Sequence, residues 1–295
     1  MRYAILSDVH GNLDALHAVF QDIDAVNRRS AQRIGQIWFL GDAVGYGPQP
    51  SECVRLIRAR CTICIAGNHD WAAVRKIDLE DFSKTAADSA TWTQQRLGSA
   101  DHTYLASLPE TAPIGNFTLA HGSPVNPIWE YLTTPDAAEI SFQFFDSLYC
   151  VVGHTHLPTI FVQPITDHLT PRKFARQAFD RTAALTMAMP GGPSRISLES
   201  GEMAMTASRA AVNVACERWT PAPGLCMIPP THRAIINPGS VGQPRDGDNR
   251  ASYVIYDSEL GFEFRRVPYN IQETQRKIRE QRLPELLAER LFAAN

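Results

Sequence analysis

Residues 3–10 read Tyr3-Ala4-Ile5-Leu6-Ser7-Asp8-Val9-His10: a short apolar run that stops on a carboxylate and an imidazole. The same pattern recurs four times. Ile37 to Leu40 runs into Gly41-Asp42, and Thr62 to Ala66 into Gly67-Asn68-His69-Asp70. Phe117 to Ala120 runs into His121-Gly122, and Tyr149 to Val152 into Gly153-His154-Thr155-His156. Each run has the length and composition of a buried strand. Polar ligands at the ends of neighbouring strands fall where open α/β sheets form their sites. Oxygen and imidazole donors suit Mn, Fe or Zn and argue against a thiolate site. The five motifs together predict a two-metal centre of the hydrolytic kind.

Outward from these motifs, the first half alternates strand and helix. Leu13, Leu16, Phe20 and Ile23 mark an amphipathic helix over Asn12 to Asn27. Pro50-Ser51-Glu52 opens a second, running to about Arg60. Lys84 to Leu97 and Asp136 to Ser147 also read as helices. Such alternation implies βα units and a largely parallel sheet. Beyond Val152 short strands are expected at Thr159–Val162, Ala234–Ile236, Ser252–Tyr256 and Phe262–Val267, the last two joined as a hairpin through Asp257 to Gly261. The stretch 270–293 reads as a C-terminal helical segment in which Pro284 starts a second short helix. Residues 164–230 lack the ligand motifs and carry the turn cluster Pro190-Gly191-Gly192-Pro193. They are expected to form a β-rich insertion in a single domain of residues 1–295. Its strands would lie near Arg195–Leu198, Met203–Thr206 and Val212–Ala215, as a flap at the rim of the metal site.

Composition excludes several classes. An apolar fraction of 44% with 20% charged residues belongs to a chain that can bury a full core. A net charge of -3 without a basic block argues against stable nucleic-acid binding. No apolar stretch approaches the roughly 20 residues of a membrane span. Six cysteines, with an N-terminus that enters a strand at once, predict reduced thiols in the cytoplasm. Cys61 and Cys64 have the spacing of a metal or redox pair. On a strand, residues three apart face opposite sides, so they read as small buried hydrophobes.

In the metal constellation, Asp42 is the natural bridging carboxylate. Asp8 and His10, two apart, would share a strand face and can turn onto one ion; His154 and His156 have the same spacing and could divide between the ions. Asn68 offers an amide oxygen, and His121 completes the second ion. Two divalent ions, offset by two carboxylates and a bridging hydroxide, leave a charge of roughly +1 that favours an anionic substrate. His69 adjoins a ligand, and Asp70 could orient its imidazole as a general acid. His17, His102, His168 and His232 fall outside the motifs and read as structural. Arg245 and Asn237 are candidate substrate-binding residues. The Gly-rich stretch from Asn237 to Arg245 could cradle an anion on its N–H groups, or be a tight structural turn. Tyr46 could stack on a base or close its loop. Trp129 and Tyr131 could wall the site or pack locally.

The order D-x-H, G-D, G-N-H-D, H and G-H-x-H resembles the calcineurin-like metallophosphoesterase superfamily. Gly45-Tyr46-Gly47-Pro48, His121-Gly122-Ser123-Pro124 and Asn237 to Arg245 make the chain similar to its small prokaryotic branch of phosphodiesterases and diadenosine-tetraphosphatase-like proteins. The resemblance implies an α/β fold of two mixed β-sheets packed as a sandwich flanked by helices, in four layers. It implies one ion on Asp8, His10, Asp42 and His156, and another on Asp42, Asn68, His121 and His154. His69 would be the acid, and a metal-bridging hydroxide the nucleophile. Two divalent transition-metal ions are expected, manganese first, with Fe, Zn, Ni or Mg as alternatives. The expected substrate is a small-molecule phosphodiester or nucleotide polyphosphate. A protein or small-molecule phosphomonoesterase is the alternative enzyme, and a non-catalytic metal-binding scaffold the alternative of another class.

Overall fold

The computed structural model describes residues 1–165 and 216–295. The strands expected at 195–198, 203–206 and 212–215, and the turn at 190–193, lie outside them. In chain order the elements are β1 (Arg2–Leu6), α1 (Leu13–Arg29), β2 (Gln36–Phe39), α2 (Pro50–Arg60), β3 (Ile63–Cys64), α3 (Asn68–Ala73), α4 (Lys84–Gln94) and α5 (Ser99–Ser107). There follow β4 (Thr111–Ile114), β5 (Phe117–Ala120), α6 (Pro135–Ser141), β6 (Tyr149–Val151), β7 (Thr159–Pro164), β8 (Glu217–Trp219) and β9 (Gly224–Cys226). The last are β10 (His232–Asn237), β11 (Ala251–Asp257), β12 (Gly261–Val267), α7 (Ile271–Glu280) and α8 (Glu285–Ala293).

The strands form two mixed six-stranded sheets, ordered β3-β2-β1-β11-β12-β9 and β4-β5-β6-β10-β7-β8. The expected βα units account for the parallel run β3-β2-β1. The sheets are nevertheless mixed, because strands from the second half pair antiparallel: β11 on β1 and β7 on β10. Sidedness follows the strand period of two. In the first sheet Ile5, Trp38, Val254 and Phe262 point inward and meet Phe117, Val151, Ile160 and Ile236 of the second. Ala4, Leu6 and Phe39 point outward onto Leu16, Val19, Phe20 and Ile23 of α1 and Ile57 of α2. On the other side, Cys150, Phe161 and Ile235 pack on Ala138 of α6 and on Phe142. Layers of helix, sheet, sheet and helix result, with both sheet faces buried, so the strands read as unbroken apolar runs.

Side chains set the helix starts. Asn12 accepts from Ala15 N at 3.1 Å, capping α1. Pro50 occupies the first turn of α2, and Pro284 precedes α8, which starts a second short helix as expected. The helix expected to reach Ser147 stops at Ser141. Arg233 donates there to the carbonyls of Phe142, Phe145 and Ser147, holding the chain in a turn. α5 and β4 were not expected: α5 buries only Asp101 and Leu105, and β4 is an edge strand containing Pro113. β8 and β9 fall inside the span 164–230, whose described ends therefore belong to the sheets.

Cys61 lies at the end of α2, before β3, so the two thiols do not face apart as the strand reading expected. The Cys61 and Tyr104 side chains hold the Cys64 thiol below its ordinary range against the effect of burial, and both cysteines are partly buried. Among the described residues no helix is long and apolar enough to cross a membrane.

Candidate metal centre

The apolar runs deliver their ligand motifs to one edge, and backbone hydrogen bonds tie the resulting loops together. His10 N donates to Asp42 O at 2.9 Å, Gly153 N to His121 O at 2.7 Å, and Gly242 N to Asp8 O at 2.9 Å. His154 N reaches both oxygens of Asp8 at 3.2 Å. Asp8, His10, Asp42, His154 and His156 all adopt left-handed φ values between 48° and 64°. L-residues adopt this region at a cost, and such positions cluster at functional sites. The contorted backbone turns consecutive side chains toward one point. Gly67 permits a close approach: a Cβ there would overlap Asp42 Oδ1.

The seven expected metal ligands come together in two clusters joined at Asp42, and all are buried. In the first, His156 Nε2 lies 3.3 Å from Asp8 Oδ1, and His10 Nε2 lies 3.6 Å from Asp42 Oδ2. In the second, His121 Nε2 lies 3.3 Å from both Asp42 Oδ2 and Asn68 Oδ1. One ligand atom each of Asp42, His121 and His154 falls within a 4.8 Å sphere of separation, as do those of Asp8, His10 and His156.

Protonation geometry tests whether cations fit. The outer nitrogens of three histidines face carbonyls: His10 Nδ1 to Val44 O at 3.1 Å, His121 Nδ1 to Leu40 O at 2.9 Å, His156 Nδ1 to Gln243 O at 2.6 Å. A carbonyl can only accept, so each Nδ1 carries a proton and each Nε2 is the nitrogen turned inward, the orientation of metal-bound imidazole. His10 Nε2 and His156 Nε2 stand 3.0 Å apart, two lone pairs face to face. His154 Nε2 is buried without a partner. Burial holds His10 well below its ordinary range and His154 down to about 3. Burial would raise Asp8 and Asp42, but the surrounding histidines outweigh it and hold both carboxylates low. At His121 the Asp42 carboxylate overcomes burial and lifts the group to about 9. The cluster thus combines ionised carboxylates, inward lone pairs and an unmet demand for positive charge. Divalent cations fit that donor set.

The other expected site residues divide. His69 lies beside the first cluster, with a ligand atom within 4.8 Å of those of His10 and Asp42. Its ring packs against Tyr46 at 4.5 Å and Phe82 at 5.1 Å, centroid to centroid. Its Nδ1 is buried without a partner, facing Gly45, where a Cβ would overlap it. Asp70 does not orient this ring. Its carboxylate accepts the N–H groups of Asp42 and Ala43 at 2.8 Å, Gly67 at 3.1 Å and Val44 at 3.3 Å. It clamps the Asp42 loop to the Gly67 turn. Asn237 is likewise unavailable to substrate: it donates to Gly153 O at 2.6 Å and Thr155 Oγ1 at 3.0 Å, and accepts from Gly239 N. The anion cradle also fails, because the N–H groups of Val241, Gly242 and Gln243 are spent on Ser7, Asp8 and Ser240.

Arg245 does sit at the mouth. Its guanidinium donates to Gln243 Oε1 at 3.1 Å, and its charge reaches Tyr46, Tyr131, His69 and His156. Tyr46 closes its loop over His10 and His69. Trp129 packs on Phe82, while Tyr131 covers His154 at 3.9 Å. Phe82 was missed by sequence reasoning, since a lone Phe in a polar loop carries no periodic signal.

The model of the calcineurin-like phosphoesterase family matches residues 1–158. An uncharacterized protein, MJ0912, of Methanocaldococcus jannaschii is 35% identical over 98% of this chain and 96% of its own. The crystal structure of a metallophosphoesterase from Sphaerobacter thermophilus is 38% identical, covers 100% of this chain and 99% of that one, and superposes with a TM-score of 0.72. A hypothetical protein, PH1004, from Pyrococcus horikoshii shares the fold at 17% identity, covering 100% of this chain and 98% of its own, with a TM-score of 0.67.

Proposed function

Because this chain belongs to the calcineurin-like phosphoesterase family, we propose that it is a metal-dependent hydrolase of phosphodiester or nucleotide polyphosphate bonds, with His69 as general acid. The observation that carries the reading is the pair of clusters sharing Asp42, with the His69 ring beside them. Asp8, His10, Asp42 and His156 would hold one divalent cation, and Asp42, Asn68, His121 and His154 the other. Such a pair, when bound, neutralises phosphoryl oxygens and acidifies nearby water.

The chain's own groups do the rest. Arg245 offers a planar fork of donors to a phosphate at the mouth. Tyr46 and Phe82 wall the His69 ring and keep bulk water from it. Burial holds His69 down to about 4, so the free imidazole is neutral. An anionic ester beside it favours the protonated form, which loads the proton as substrate binds. With Nδ1 enclosed against Gly45, Nε2 is the nitrogen that delivers this proton to the leaving oxygen.

Manganese-loaded protein should hydrolyse a bis-nitrophenyl diester faster than the matching monoester and retain close to two ions by elemental analysis. Asp42→Ala should lose both ions and activity. A wild-type protein that holds metal but leaves every phosphoester intact would count for the scaffold reading.

A further inference from the structure

We propose that Tyr131 and Arg245 form a two-part recognition subsite at the rim of the metal centre. Arg245 holds a phosphate there, and the exposed Tyr131 ring stacks on a planar base or aryl group attached to it. The proposal rests on the phosphoesterase reading above and names the substrate class that the site selects.

Tyr131 is 55% exposed. Scattered surface aromatics are ordinary, but this one is placed and held. Its ring lies over the buried His154 ring, 3.9 Å between centroids and tilted by 33°. The Arg245 charge reaches its hydroxyl. The residues on either side are fixed: Glu130 accepts a hydrogen bond from Ser123, and Leu132 is buried. Ser123 in turn accepts from Val125 N and Asn126 N at 3.1 Å, which makes the loop rigid up to Tyr131. A held aromatic loses little freedom on stacking.

Arg245 supplies the second half. Arg250, close to it in sequence, pairs with Asp248, and Arg266 with Asp246 and Asp248. Among the described residues no carboxylate within 4 Å pairs with Arg245. It donates instead to Gln243 Oε1 at 3.1 Å, a neutral acceptor on the residue whose carbonyl orients His156. The guanidinium is therefore positioned beside the cluster with its charge uncompensated. Phosphate on Arg245 and a ring on Tyr131 lie within one nucleotide's reach, because Tyr131 covers His154 while Arg245 is held by Gln243, the residue whose carbonyl binds His156, two positions on.

Isothermal titration of metal-loaded protein with thymidine 5′-monophosphate and with inorganic phosphate tests this. Wild type should bind the nucleotide about five- to a hundredfold more tightly, the range of one base–aromatic stack. Tyr131→Ala should bring nucleotide affinity down to that of phosphate and leave phosphate affinity and melting temperature unchanged. Tyr131→Phe should keep most of the preference, since stacking needs the ring. Arg245→Ala should weaken both ligands by a similar factor. Wild type that binds both equally, or Tyr131→Ala that keeps the preference, would overturn the subsite alone. Wild type that binds neither would overturn the phosphoesterase reading with it.

Discussion

Asp70→Asn is the substitution that best separates a loop clamp from a catalytic partner. The change is isosteric, but it turns one of two acceptor oxygens into a donor. In the native site Oδ2 accepts from Asp42 N and Gly67 N, and Oδ1 from Ala43 N and Val44 N. Whichever way the amide is turned, two buried N–H groups face an NH₂ instead of an oxygen. Each orphaned donor costs about 1–3 kcal/mol, so the expected loss is roughly 2–6 kcal/mol. An unfolding entropy of about 2.1 cal/mol/K per residue, over 295 residues, gives roughly 0.6 kcal/mol/K. The melting temperature should therefore fall by roughly 3–10 °C. Asp42 should also loosen, because its N–H is one of the released groups, so metal retention should drop. Burial and the nearby Asp42 carboxylate push Asp70 itself up to about 7, while the donated N–H groups favour its anion. Calorimetry of the metal-free protein and elemental analysis after dialysis read the two effects. If Asp70→Asn melts with the wild type, keeps its metal and loses turnover only with poor leaving groups, the clamp is wrong and an orienting role for His69 is right.

Four further outcomes are expected. His69→Ala should keep its metal yet lose turnover by about 10²–10⁴, less with nitrophenolate, which leaves without a proton; equal losses for good and poor leaving groups would refute the acid role. Chelator treatment should lower the melting temperature, and restored metal at 100 times its Kd should return about 2.7 kcal/mol. Although burial opposes it, the hydrogen bonds from Arg265 and Tyr253 hold Asp22 below the ordinary carboxylate range. A depressed folded value means the contribution is complete above the unfolded value near 4 and is lost as pH falls through the folded one. Asp22→Asn should thus cost about 1 kcal/mol at neutral pH, a figure kept small by partial exposure, and the gap should close in acid denaturation curves below about pH 4. Leu287→Ala, at a site 1% exposed beneath the loop of Tyr46, should cost about 2–5 kcal/mol in urea unfolding.

The clustering of the expected metal ligands was legible because their chemistry leaves few choices of residue, and because strands deliver them at fixed points after apolar runs. The same logic found α1, α2 and the β11–β12 hairpin, whose periodicities are strong. It failed where a residue's partner lies far along the chain. Asn237-Pro238-Gly239 looks like an anion cradle, but its neighbours' N–H groups are taken by Ser7 and Asp8, more than 230 positions away. Asp70 sits next to His69 in sequence, yet its acceptors point back to the Asp42 loop. Neither Tyr131 nor Phe82 has a spacing that distinguishes it from any surface aromatic; only folding shows what each ring covers.

The division of strands between the two halves of the chain bears on how the protein is made. β1 to β6 come from residues before 158, and β7 to β12 from those after it, three of each in either sheet. All seven candidate metal ligands therefore leave the ribosome before β10 and β11, the strands that flank β6 and β1. Until Asp257 has emerged, β1 and β6 are open edges of the kind that recruits other strands. At about 5–20 residues per second, the 99 residues from 158 to 257 take roughly 5–20 s. During that interval the nascent chain carries a full complement of ligands without the late turn that braces Asp8 and His156. Bracing of the candidate metal site and closure of both open edges wait on the same two strands.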